Sequence, residues 1–164
     1  LENWPVWLTG GEMIATVTYE SATWGPLPSR LEAGTPNIAG AIGMAAGIEW
    51  FQQFNIADVQ GHEAELMARA VALGNEFDGL RLVGNAPDKV GVYSFVLAAG
   101  HPADVGFILD RQGIAIRTGD HCAQPLMNRL GVPGTARASF SIYNTLDEVE
   151  QLFVGLKKAQ EMLA

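Results

Sequence analysis

The chain has 164 residues, the length of one ordinary domain, and its composition excludes several classes of protein. Apolar residues make up 48% of it and charged residues 17%, which indicates a folded protein with a buried interior or a large subunit interface. The formal net charge is −8, and the chain has no cluster of Lys and Arg. We therefore expect neither nucleic acid nor an anionic membrane to be its main partner.

No apolar run is long enough to cross a bilayer, and residues 1–9 lack the basic start and apolar stretch of a signal peptide. These features predict a cytoplasmic protein. The single cysteine, Cys122, excludes an internal disulfide and a multi-thiolate metal site, and we expect no bound metal. The aromatic opening without an initiator Met leads us to expect that the chain starts inside a domain.

The first third of the chain predicts irregular backbone followed by a helix. Residues 9–36 contain a short β-like segment at 13–19 and many turn-forming residues, which is typical of a loop that lines a site. From residue 37 to 54, small residues alternate with larger apolar ones, which predicts a helix. We expect this helix to be buried, because its glycines allow close packing.

The remainder alternates helices and strands. An amphipathic helix is predicted over 58–77, with Asp58 as its N-cap. Further elements follow in the order strand 80–83, strand 90–97, helix 102–112, strand 114–117, a short helix near 126–130, strand 137–143, and a final helix to 163 capped by Asn144 or Thr145. This order predicts an α+β fold, in which a small and mostly antiparallel sheet is covered by helices.

The densest group of chemically useful side chains surrounds Cys122, in a polar loop after a predicted strand. A thiol is nucleophilic as its thiolate, and Arg117 or a protonated His121 would favour that form, whereas Asp120 would oppose it. A lone cysteine is also often a small buried residue. From local composition alone, catalysis and packing are about equally supported.

Arg137 is the second candidate. In its predicted strand the neighbouring apolar residues alternate, so that Arg137 and Ser139 share the opposite, accessible face. A surface ion pair is the ordinary role of an isolated arginine, and this placement leaves the Arg137 side chain accessible. His62 and His101 have no comparable neighbours, and we give them no function.

Five segments, in this order and spacing, carry a resemblance to a known family. They are GGEMI at 10–14, RLEAGTPN at 30–37, RTGDHCAQPL at 117–126, RASF at 137–140 and YNT at 143–145. The third resembles the active-cysteine segment of the Suf-type (group II) cysteine desulfurases and selenocysteine lyases. These enzymes belong to the class V aminotransferase superfamily.

The resemblance covers the whole chain and corresponds to the C-terminal part, less than half, of a complete family member. It implies the small C-terminal domain of a fold-type I enzyme that uses pyridoxal 5′-phosphate (PLP). Residues 1–36 would be a remnant of the edge of the large cofactor domain with a site-lining loop. Residues 37–164 would be a helical connector and the small domain.

The implied reaction takes sulfur from L-cysteine, or selenium from L-selenocysteine, and releases L-alanine. Cys122 matches the nucleophile that becomes a persulfide, and Arg137 matches the arginine that holds the substrate carboxylate. Arg117 and His121 match supporting positions, while Gly34 and Thr35 match the segment that binds the PLP phosphate of a partner subunit. The family also implies a homodimer and a sulfur-acceptor protein, as in iron–sulfur cluster assembly.

Two departures qualify the resemblance. Family members commonly have His or Gln where this chain has Asp120, which alters the charge beside Cys122. None of the three lysines, Lys89, Lys157 and Lys158, lies in the context of the family's cofactor lysine, so we expect the chain alone to be inactive. Two alternatives stay open: a thiol module that relays sulfur or binds a partner without catalysis, and a class V enzyme without sulfur chemistry.

Overall fold

A computed structural model describes residues 1–84 and 86–164, and the chain forms two compact units, Leu1–Gln53 and Phe54–Ala164. The division at residue 36 that the sequence suggested concerns domains of a larger enzyme and stays a prediction. The elements of the first unit are strands β1 (Ile14–Val17) and β2 (Ala22–Trp24), which pair antiparallel, a 3-10 turn (Ser29–Leu31), and helix α1 (Ile38–Phe51). The predicted strand and helix are thus confirmed.

Helix α1 begins at a side-chain cap. The Asn37 side chain accepts a hydrogen bond of 2.9 Å from the Gly40 amide, which satisfies one of the free N–H groups of the first turn. Glycine suits position 40, because a Cβ there would lie 2.5 Å from the Asn37 side-chain nitrogen.

The expectation that α1 is buried is wrong for this chain. None of its residues is buried, and Ile42 remains 66% exposed. A helix that is apolar around its whole circumference needs covering surfaces on several sides. The described residues do not supply them.

The second unit contains a four-stranded sheet and four helices. Its elements are α2 (Ile56–Glu76), β3 (Leu80–Val83), β4 (Val92–Leu97), α3 (Pro102–Asp110), β5 (Arg117–Gly119), α4 (Gln124–Leu130), β6 (Thr135–Ser139) and α5 (Leu146–Leu163). The strand order is β3-β4-β6-β5, and every neighbouring pair is antiparallel. This confirms the predicted α+β fold and its antiparallel sheet.

One face of this sheet packs against helices. On β4, Tyr93, Phe95 and Leu97 are buried at alternate positions, and Tyr93 and Phe95 pair with Ala138 and Ala136 of β6. They join buried residues of α2, α3 and α5 in one core. Because side chains alternate along a strand, the residues between them lie on the opposite face.

Two predicted strands were displaced by a few residues. The strand predicted over 114–117 lies at 117–119, because the Ile114 amide bonds to Leu109 O and ties that residue to the end of α3. Ile114 and Ile116 still pack on the core, and their alternation mimicked a strand. The strand predicted over 137–143 ends at Ser139, after which Asn144 Oδ1 accepts from the Ser141 amide in a turn.

Side-chain caps fix the starts of the two long helices in this unit. Asn55, and not Asp58, caps α2 by accepting a 3.0 Å bond from the Ala57 amide. At α5, Thr145 is the cap, and it forms a reciprocal capping box with Glu148. None of the helices described by the structure combines the length and the apolarity needed to span a membrane.

Candidate active site

Two arginines face each other across the last strand pair of the second unit. Arg117 of β5 lies directly opposite Arg137 of β6, on the sheet face away from the core helices. Like charges in directly opposed positions destabilise a sheet. Arg137 Nε is buried and has no hydrogen-bond partner among the described residues. Such a pair is suited to an anion, and a guanidinium binds a carboxylate through two parallel hydrogen bonds.

Two glycines let the chain leave β5 close to the start of β6. Gly119 has φ 118°, a conformation that side chains rarely allow. At Gly134 a Cβ would lie 2.7 Å from Gly119 O, so any larger residue would push the two backbones apart. The loop after β5 therefore starts beside Thr135, at the beginning of β6.

The loop itself holds two consecutive residues in the left-handed conformation, His121 at φ 54° and Cys122 at φ 59°. This conformation costs a non-glycine residue roughly 1–2 kcal/mol. Asp120 supports the turn, because its Oδ1 accepts a 3.0 Å bond from the Cys122 amide and its carbonyl accepts one of 2.9 Å from the Ala123 amide. The result is an exposed Cys122 thiol, which disfavours the packing interpretation of this cysteine.

Asp120 also affects the charge of the loop. Hydrogen bonds from the Cys122 amide and from the Gln124 side chain lower the pKa of the Asp120 carboxyl. The carboxyl is therefore ionised at neutral pH, and it places a negative charge in the loop of Cys122. The expected opposition of Asp120 to the Cys122 thiolate stays a prediction, and sequence reasoning missed the structural role of Asp120 in the turn.

His121 is held against β6 rather than open to solvent. Its Nε2 lies 2.8 Å from Thr135 Oγ1 and 3.2 Å from Thr135 O. Burial, and then the positive charge of Arg137, lower the pKa of His121 below its ordinary value. At neutral pH the ring is neutral, so the expected help of a protonated His121 to the thiolate is confined to acidic pH.

The predicted site residues fall into two groups. Cys122, His121, Arg117 and Arg137 come together at the β5–β6 edge of the second unit, with the β6 residue Thr135, which sequence reasoning missed. No signal in the sequence marked Thr135, because its role depends on the pairing of two strands.

Gly34 and Thr35 lie in the first unit. Gly34 has φ 94°, and its amide donates a 3.0 Å bond to Gly11 O. That amide is therefore engaged within the loop, and the exposed Thr35 is left as the better phosphate donor of the two.

The other candidate groups have structural roles. His62 Nε2 lies 2.9 Å from Asn144 O, and His101 Nδ1 accepts from the Ala103 amide as the cap of α3. Lys89 Nζ donates to Gly84 O, while Lys157 and Lys158 are exposed on α5. The Arg137 guanidinium in the second unit and the exposed Thr35 hydroxyl in the first are thus each suited to an anionic group, but none of the lysines fits a cofactor anchor.

Comparison with known proteins decides the family. The model of the family described as aminotransferase class-V matches residues 1–152. The chain belongs to this family. A cysteine desulfurase of Synechococcus elongatus is 44% identical over 94% of this chain and 25% of its own length. A probable cysteine desulfurase of Vibrio cholerae is 42% identical over 99% of this chain and 40% of its own length.

A solved structure gives the same answer. The Escherichia coli cysteine desulfurase CsdA, in an S-sulfonic acid form, superposes with a TM-score of 0.86 at 38% identity, covering 96% of this chain and 39% of CsdA. This superposition confirms the predicted fold, which is that of the C-terminal part of a fold-type I enzyme of the class V aminotransferases. This chain spans 25% and 40% of the lengths of these two curated relatives, so the activity of a whole enzyme is a separate question.

Proposed function

We propose that this chain is the sulfur-accepting part of a PLP-dependent cysteine desulfurase. The observation that carries the proposal is the exposed Cys122 thiol, on a turn beside two arginines that face each other. The similarity to proteins named cysteine desulfurases supports it.

The arginine pair binds the α-carboxylate of L-cysteine in this account. Arg137 provides the primary contact, because its buried Nε has no partner in the described part of the chain. Arg117, more exposed on the adjacent strand, adds a second positive charge and helps to stabilise the thiolate. Binding the carboxylate also relieves the repulsion between the two guanidinium groups.

Cys122 then acts as the nucleophile. Its thiolate attacks the sulfur of L-cysteine, so that an S–S bond forms and the C–S bond breaks. The substrate carbon keeps the electron pair of the broken bond, takes up a proton and leaves as the methyl group of L-alanine. PLP, when bound, supplies the electron sink for breaking the C–S bond. Thr35 and the neighbouring Gly34 would hold the phosphate of the PLP bound to a partner subunit, and the anchoring lysine would come from outside these 164 residues.

The wider setting belongs to the same proposal. Residues 1–36 form the edge of the large domain, and residues 37–164 form the connector and the small domain. The enzyme acts in the cytoplasm as a homodimer, uses L-cysteine or L-selenocysteine, and passes the Cys122 persulfide to an acceptor protein, for iron–sulfur cluster assembly or another sulfur pathway.

Substitution of Arg137 tests the carboxylate site. The assay needs this chain together with the polypeptide that supplies the cofactor lysine, and it measures alanine release from L-cysteine. Arg137→Lys keeps the charge but loses the bidentate fork, so we expect KM to rise about 10- to 100-fold. Arg81→Lys, at an exposed position of β3, is the matched control and leaves KM unchanged. Equal KM values for the two variants would contradict the assignment.

The thiol-relay alternative predicts a different outcome. If Cys122 only relays sulfur, Cys122→Ser leaves alanine release intact and abolishes only the transfer to an acceptor. In the proposed function the same variant loses both.

A further inference from the structure

The contact between His121 and Thr135 bears on which ring nitrogen of His121 carries the proton. Thr135 is 1% exposed, and both its hydroxyl and its carbonyl oxygen lie within hydrogen-bond distance of His121 Nε2, at 2.8 Å and 3.2 Å. A hydroxyl can donate or accept, but a carbonyl oxygen can only accept. A proton on Nε2 satisfies both oxygens, whereas without it the Nε2 lone pair would face the carbonyl oxygen as a second acceptor.

The other ring nitrogen is left free. His121 Nδ1 is buried and has no hydrogen-bond partner among residues 1–84 and 86–164. In a neutral imidazole with the proton on Nε2, Nδ1 carries a lone pair. It is thus an unoccupied acceptor in a loop whose other strong groups are already paired or charged.

The charges around the ring favour the neutral form on balance. Arg137 and Arg117 lie on the two strands beside it and disfavour a further positive charge, as does burial. The Asp120 carboxylate and the Thr135 carbonyl act in the opposite direction. With two arginines already present for an anionic group, a neutral His121 adds an acceptor rather than a third cation.

We propose that Thr135 is a positioning residue, which holds His121 with its proton on Nε2 and leaves the buried Nδ1 as a proton-free acceptor for a donor such as a thiol. This inference deepens the proposed function and rests on it for its catalytic meaning. The tautomer is a property of the chain itself, so the inference can be tested without cofactor.

The first experiment is an NMR determination of the histidine tautomers in the ¹⁵N-labelled chain at neutral pH, with His121 assigned by the loss of its signals in His121→Gln. We expect Nε2 to be protonated and Nδ1 unprotonated. Thr135→Val keeps the shape and the carbonyl but removes the hydroxyl, which is the closer of the two contacts of Nε2. The ring is then no longer held against the carbonyl, and the variant should give a mixture of tautomers. Thr135→Ser should restore the single tautomer.

Thr118→Val provides the matched control. Thr118 is a half-buried threonine on the neighbouring strand, and its side chain faces Gly106 of α3 rather than His121. This variant should leave the His121 tautomer unchanged. A proton on Nδ1 in the unaltered chain, or a Thr135→Val variant with the unaltered tautomer, would overturn the proposal.

A second measurement separates this inference from the proposed function. In the assay of alanine release, Thr135→Val should lower kcat about three- to tenfold with KM nearly unchanged, and Thr135→Ser should recover it. If the NMR result holds but the complete enzyme releases no alanine from L-cysteine, the proposed function fails while the tautomer assignment stands. If alanine is released and Thr135→Val has the same kcat as the unaltered chain, the positioning role is wrong.

Discussion

The two units of the chain differ in how far each covers its own apolar residues. In the unit Phe54–Ala164, one sheet face and three helices share a continuous core. In the unit Leu1–Gln53, helix α1 is as apolar as a core helix, yet it has no buried residue. The sequence pattern thus indicates that an apolar helix needs packing partners, but it does not indicate whether those partners belong to the same chain.

The largest expected effect concerns this uncovered helix. Its exposed apolar side chains form a surface of the kind that drives association, and we expect the chain to self-associate at micromolar concentration. Light scattering measures this directly, and Ile42→Lys with Ile48→Lys should reduce the apparent mass. Lys substitution at Val154, an exposed position of α5, is the control and should not reduce it. A monomeric unaltered chain would contradict the prediction.

Truncation of matched apolar residues in the two units should give very different losses of stability. Leu156 of α5 is 0% exposed, so Leu156→Ala should lower the free energy of unfolding by about 2–5 kcal/mol. Ile42→Ala in α1 should change it by no more than about 0.5 kcal/mol. Urea unfolding followed by circular dichroism measures both, and similar losses would show that α1 is covered after all.

Removal of a helix cap should also lower stability more in the second unit than in the first, but by a smaller amount than removal of a core side chain. Thr145→Ala removes the capping box of α5 and should cost about 1 kcal/mol in urea unfolding, because α5 is part of the core. Asn37→Ala removes the cap of α1. It should increase amide exchange in the first turn of α1 without shifting the unfolding midpoint of the second unit. A shift of that midpoint would contradict this prediction, because it would show that the stability of the second unit depends on the cap of α1.

Tyr93 tests the core through its pH dependence. Burial raises the pKa of Tyr93 to about 12, and its hydroxyl is buried without a partner in the described chain. The unfolded chain loses this proton near pH 10, but the folded chain keeps it until about pH 12. Ionisation of Tyr93 therefore leaves the free energy of unfolding unchanged below about pH 10 and lowers it progressively as the pH rises towards 12. Tyr93→Phe should remove this loss and raise stability at neutral pH by up to about 1 kcal/mol. Unfolding midpoints measured between neutral pH and about pH 12 test this prediction. Tyr143→Phe, at an exposed position, is the control and should leave the alkaline loss of stability unchanged.

The smallest expected effect lies in the Cys122 loop. Asp120→Asn keeps an oxygen that accepts from the Cys122 amide but removes the negative charge. We expect alkylation of Cys122 at neutral pH to become about two- to fivefold faster. Asp110→Asn, at the end of α3, is the control. A slower reaction in Asp120→Asn would mean that its charge supports the thiolate.

Much of the second unit could be predicted from the sequence, because periodicity and capping residues act locally. The strand positions near Arg117 and Arg137 were displaced, since Ile114 and Ile116 alternate like strand residues while packing outside the ladder. At the site, the motif located Cys122 and both arginines. The pairing of Arg117 with Arg137 and the contact of His121 with Thr135 depend on strand register, which no local pattern contains.

The central claim is that sulfur from L-cysteine is carried on Cys122. Intact-mass and peptide mass spectrometry of this chain, after turnover with L-cysteine in the presence of the polypeptide that supplies the cofactor lysine, tests it most directly. The account predicts that the peptide with Cys122 gains the mass of one sulfur atom, that a reductant removes it, and that Cys122→Ser gains none. Alanine released without any sulfur on Cys122 in the unaltered chain would contradict the claim.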